Sequence, residues 1–158
     1  QNIAKEYLIQ LENNPKTLKQ IETNILGLIT NNQDIAPIIE KEWETYWKKN
    51  KNNPYFAQFG IWLYNQTKQY DKSFELAKQI DNKFEEESGA TMLSFGEDML
   101  NSNNINYALK AVNYMLKKGK ETGDFFSFML ELHPRTYILC KDLTGTTGTE
   151  FFRRKTEL

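Results

Sequence analysis

Reactive side chains are scarce in this sequence. It holds one histidine, His133, and one cysteine, Cys140. A single cysteine excludes an intrachain disulfide and any metal site built on several thiolates. A histidine-dependent triad or zinc site would have to use His133. Arginine is nearly missing: Arg135, Arg153 and Arg154 stand against 17 lysines. Arginine is the side chain suited to bidentate phosphate contacts, so its scarcity argues against nucleic-acid binding. The 20 basic and 21 acidic residues leave a net charge of −1, which gives no global drive toward nucleic acid or an anionic membrane. No apolar run approaches the roughly 18 residues of a bilayer span, so no membrane insertion is expected. Alternating apolar and polar runs bounded by turn residues are also missing, and essentially no sheet is predicted. A start at Gln1 rather than Met leads us to expect processing or excision from a longer chain.

Helical periodicity is abundant. Ile3, Ala4, Tyr7, Leu8 and Leu11 form one apolar stripe, and Leu18, Ile21, Ile25, Leu28 and Ile29 the next. Between them Asn14-Pro15 reads as an N-cap followed by proline in the first turn, where a missing N–H costs nothing. Asp34 is the expected cap of a third helix that buries Ile35, Ile38, Ile39, Trp43 and Tyr46. Lys48-Lys49 suit that helix's C-terminus. Asn53-Pro54 repeats the cap-plus-proline start for a fourth helix, and a fifth is expected from Asp71. The boundary near Ser88-Gly89 is ambiguous, because Glu85, Glu86 and Glu87 carry the wrong sign for a helix end. Helices six and seven turn at Asn103-Asn104, and Lys117-Lys118-Gly119 reads as a stop. An eighth helix is expected from Asp124 to His133-Pro134, with a short one after it.

One pattern occurs twice. Residues 54–87 and 89–119 each read as helix, short polar turn, helix, and Ser73 and Ala108 are 35 positions apart. That period belongs to helical repeat arrays, whose units stack because none buries its apolar face alone. The expected fold class is all-α: about seven to nine helices paired as antiparallel hairpins and stacked as a superhelix. The expected domain is 1–143, with an irregular unit over 1–53, units at 54–87 and 89–123, a partial unit at 124–143, and a loop and tail at 144–158.

The two central units resemble the tetratricopeptide repeat. Phe95, Gly96 and Ala108 in the second unit, and Tyr64, Tyr70 and Asp71 in the first, carry the likeness. Ser73 stands in place of the usual Ala, Ile61 at the Gly position, and Gly60 one residue early. The resemblance covers 54–123, is loose over 1–53 and stops beyond Pro134. Within the family it looks most like the interior of long bacterial cell-envelope proteins. It implies a solenoid that binds protein or peptide on a concave face lined by the first helix of each pair. The register places Tyr55, Gln58, Trp62, Asn65 and Gln66 on that face in the first unit. In the second it places Leu93, Glu97, Leu100 and Asn101 there. The lysines of the family's carboxylate clamp are missing from these positions, so capture of an acidic chaperone C-terminus is not expected.

Motifs for chemistry are weak beside this. His133 has no accompanying nucleophile and reads as a helix-end residue, and Cys140 in the apolar run TYILC reads as a small buried hydrophobe. Glu85, Glu86 and Glu87 read as a solvated charge run. TGTTGT (144–149) lacks the Gly-Lys-Ser/Thr ending of a phosphate loop. Lys117, Lys118 and Lys120 read as helix-end charges. Trp43, Trp47 and Trp62, with Tyr46, Tyr55 and Tyr64, are either core or an aromatic binding groove. The expectation is a non-catalytic interaction scaffold with no cofactor and no metal. Its rivals are a spacer or self-associating segment, suggested by the apolar first helix and by Phe151-Phe152, and more distantly a helical enzyme built around Glu42, Trp43 and Trp47.

Overall fold

The structure, a computed structural model, describes residues 3–83 and 89–122. The readings that fall on 84–88 and 123–158 lie outside them: the glutamate run, the eighth helix, His133, Cys140, TGTTGT and Phe151-Phe152. The described residues form α1 (Ile3–Asn13), α2 (Leu18–Asn31), α3 (Ile35–Lys49), α4 (Pro54–Gln66), α5 (Tyr70–Lys83), α6 (Ala90–Asn101) and α7 (Ile105–Thr122). One 3-10 turn, Pro15–Thr17, precedes α2, and no strand occurs among them. The chain divides into two compact units, Gln1–Lys83 and Phe84–Leu158.

In the first unit α4 touches each of the other four helices. Its composition explains this. Phe56, Ala57, Phe59, Gly60, Ile61, Leu63 and Tyr64 are all buried, so α4 is apolar on most of its circumference. A helix of that kind is stable only inside a bundle. Leu8, Leu11, Ile21, Ile25, Ile39 and Trp43 from α1, α2 and α3 complete the core. In the second unit α6 packs on α7 through Met92, Phe95, Met99, Ala108, Ala111, Val112 and Met115.

The hairpins α4–α5 and α6–α7 close with the same turn, bond for bond, 35 residues apart. Gln69 N–H donates to the Tyr64 carbonyl at 2.8 Å and Lys68 N–H to the Asn65 carbonyl at 3.2 Å. Asn104 N–H donates to Met99 at 2.7 Å and Asn103 N–H to Leu100 at 3.0 Å. This is the Schellman ending, which satisfies orphan carbonyls by turning one residue left-handed. That residue is Lys68 (φ 59°) in one hairpin and Asn103 (φ 58°) in the other. Ser73, fully buried, donates from Oγ to the Ile61 carbonyl at 3.0 Å, so the small side chain sits where the two helices cross.

Several caps differ from expectation. Asn53 caps α4 as its sequence suggests, accepting from Tyr55 N–H at 3.0 Å and Phe56 N–H at 3.4 Å. Asp34 makes no side-chain cap; instead Asn32 Oδ1 accepts the Asp34 N–H at 3.0 Å and turns the chain into α3. Asn14 caps the 3-10 turn rather than α2 itself. Helix α5 starts one residue early, at Tyr70. Helix α7 runs through Gly119 to Thr122, because a lone glycine weakens a helix without breaking it and no proline follows within the helix. Gly89 precedes α6 with φ 94°, a left-handed conformation that glycine adopts at no steric cost.

Candidate functional site

Helix α4 leaves one stripe uncovered. Apart from Pro54 at its start, its residues that are not buried are Tyr55, Gln58, Trp62, Asn65 and Gln66. At 3.6 residues per turn they span an arc of roughly 100°. These five are the residues the repeat register assigns to an open face. Tyr55, Gln58 and Gln66 are exposed, while Trp62 and Asn65 are half-buried. Trp62 leans on the buried ring of Phe59, with centroids 5.6 Å apart and planes at 32°, which limits how far the indole can move. Asn65 Oδ1 is enclosed without a hydrogen-bond partner. An unpaired buried acceptor costs roughly 1–3 kcal/mol.

On α6 the placement is mixed. Asn101 is exposed, and Glu97 and Leu100 are half-buried. Leu93 is buried and lines a void of about 10 Å³ between α6 and α7, so it is a core residue. Gly96 does allow a close approach: a Cβ there would lie 3.3 Å from the Cβ of Ala111, one turn beyond the Ala108 that the register suggests.

The other aromatics are structural. Trp43 is 2 % exposed; its Nε1 donates to the Phe56 carbonyl at 2.9 Å, and its ring stacks on Trp47 at 6.0 Å and meets Tyr64 edge-on at 5.3 Å. Tyr46 stacks on Phe56. Beside them lies a polar seam that joins α3 to the α4–α5 turn. Gln69 Nε2 donates to Glu40 and to Thr67 Oγ1, and Tyr64 OH donates to Glu44 at 3.4 Å. Burial, then the carboxylates of Glu44 and Glu40, push the Tyr64 hydroxyl up to about 12. Burial, then Glu12 and Glu42, raise Tyr46. A tyrosine held neutral and tied to a carboxylate fixes helix packing; it is not poised to donate or accept a proton near neutral pH.

At one end of the first unit Ile3, Tyr7, Ile25, Leu28, Ile35 and Ile38 border an apolar groove of about 480 Å³. Ile3 is 50 % and Ile38 55 % exposed. The groove draws on α1, α2 and α3, and Ile38, which the helical stripe predicts to be buried, stays open there. Among the described residues no group of three or more His, Cys, Asp or Glu side chains is placed to hold a metal ion, and no helix is long and apolar enough to cross a membrane.

No protein-family model, curated protein or solved structure matches this chain. Its class, an all-α protein of packed helical hairpins, follows from its own residues and geometry.

Proposed function

We propose that this chain is a non-catalytic scaffold of stacked, tetratricopeptide-like hairpins that binds a peptide or protein partner along the open stripe of α4. The observation that carries the reading is the stripe itself. A helix that is apolar nearly all round keeps one arc of Tyr, Gln, Trp, Asn and Gln uncovered. Trp62 offers a large, partly immobilised apolar surface, which lowers the entropy lost on binding. Gln58 and Gln66 offer donors and acceptors for the main chain of an extended peptide, with half-buried Asn65 on the same stripe. The stacking is supported by the identical turns 35 residues apart and by the buried small residues Ser73 and Ala108 that follow them. The partner then lies on rigid helices rather than on loops, which suits recognition without chemistry.

The test is selection of linear peptides from a random display library on the full chain, followed by calorimetry. Peptides selected on the wild type should bind Trp62→Ala/Asn65→Ala at least tenfold more weakly, with an unchanged circular dichroism spectrum. Unaltered affinity in the folded double variant would remove this site.

A further inference from the structure

Lysines gather where α3 ends and α4 begins. The segment TYWKKNKNNPY (45–55) holds three lysines and no acidic residue. In the fold it wraps a groove of about 660 Å³ lined by Lys48, Lys49, Lys51, Asn50, Asn52 and Tyr55, with no Asp or Glu on its walls. A fourth lysine comes from α5: Lys83 Nζ donates to the Lys51 carbonyl at 2.9 Å and to Asn52 Oδ1. Complementing a helix C-terminus accounts for Lys48 and Lys49. It also accounts for Lys83, in the last turn of α5, but not for Lys51, which lies beyond the end of α3. Lys48, Lys49 and Lys51 are all exposed, and none of these three forms a salt bridge with a described residue. They are three like charges on one short segment, and no carboxylate of the groove itself complements them.

The groove is continuous with the stripe on α4, because Tyr55, 41 % exposed, lines the one and begins the other. We infer that the partner is an acidic peptide segment, whose Asp or Glu side chains enter the lysine groove while its neighbouring residues lie along Tyr55, Gln58 and Trp62. This rests on the scaffold reading above and narrows it to a partner class. Peptide fits better than nucleic acid. The groove offers lysines but no arginine fork for phosphate, one exposed aromatic rather than a stacking series, and side-chain amides suited to a peptide backbone.

Fluorescein-labelled deca-glutamate, titrated with the full chain at neutral pH and 50 mM salt and followed by anisotropy, tests this. Saturable binding is expected, weakened at least tenfold in Lys48→Gln/Lys49→Gln/Lys51→Gln and strongly reduced at 500 mM salt. The control Lys5→Gln/Lys41→Gln/Lys68→Gln removes the same charge elsewhere and should keep wild-type affinity. No saturable binding, an equal loss in the control, or a labelled ten-nucleotide oligothymidine bound as tightly as the peptide would each overturn the inference. Library peptides that still depend on Trp62 and Asn65 while deca-glutamate fails would remove the acidic partner alone. If they too are insensitive, the scaffold reading falls with it.

Discussion

Gly60 shows how one missing methyl group holds the first unit together. A Cβ at that position would lie 2.0 Å from Cζ2 of Trp43. The indole has nowhere to retreat, since it is buried and its Nε1 is tied to the Phe56 carbonyl. Gly60→Ala should therefore destabilise the chain by about 1–3 kcal/mol in urea titration, despite alanine's better helix propensity. Gly27 is the contrast: it lies in α2, and a methyl group added there would meet nothing within 4 Å. Gly27→Ala should stabilise by about 0.5–1 kcal/mol in the same titration. Tyr64 governs alkaline behaviour. In the unfolded chain its hydroxyl titrates near 10, and in the folded one near 12. The folded state therefore holds a proton that the unfolded state has lost. The stabilisation is complete below pH 10 and disappears as the pH rises through 12. Tyr64→Phe should lose stability less steeply than wild type between pH 10 and 12, while changing stability at pH 7 by only about 1 kcal/mol through loss of the Glu44 bond. Paired denaturation curves across that range measure the difference.

At the scale of the helix and its ends, sequence signals succeeded where the needed partner is local. Asn53-Pro54 caps α4 because the acceptor and the N–H groups it satisfies lie within three residues. Asp34 misled because no N–H is left for it to cap: Ile35 and Ala36 donate to the Asn32 and Gln33 carbonyls, and Pro37 has no N–H. The Schellman turns carry a cost that glycine would relieve. An L-residue in the left-handed region is disfavoured by roughly 1–2 kcal/mol, and Lys68 occupies that region. Lys68→Gly should raise stability by about 0.5–1 kcal/mol, after the greater entropy of the unfolded glycine is subtracted, and asparagine's tolerance of the left-handed region should make Asn103→Gly gain less. Thermal unfolding of the two single variants gives the order. A fall in stability for Lys68→Gly would mean that the lysine side chain contributes more than its backbone costs.

Across the molecule, the sequence by itself determined the described helices and the 35-residue recurrence of the hairpin turn, while the open face of α4 was named by the register that the repeat resemblance implies. The helices and the turn are short-range properties: periodicity, capping and turn chemistry act over a few residues. Tertiary structure alone decided which of two adjacent stripes on α6 meets α7, and so buried Leu93 although the register left it open. It decided that Gly60 faces Trp43, from a helix that starts 19 residues earlier in the chain. It also brought Lys83 to the lysines of the α3–α4 loop, across 32 positions. Such contacts depend on where separate helices come to rest, and that is set by the summed fit of many side chains, which no local pattern encodes.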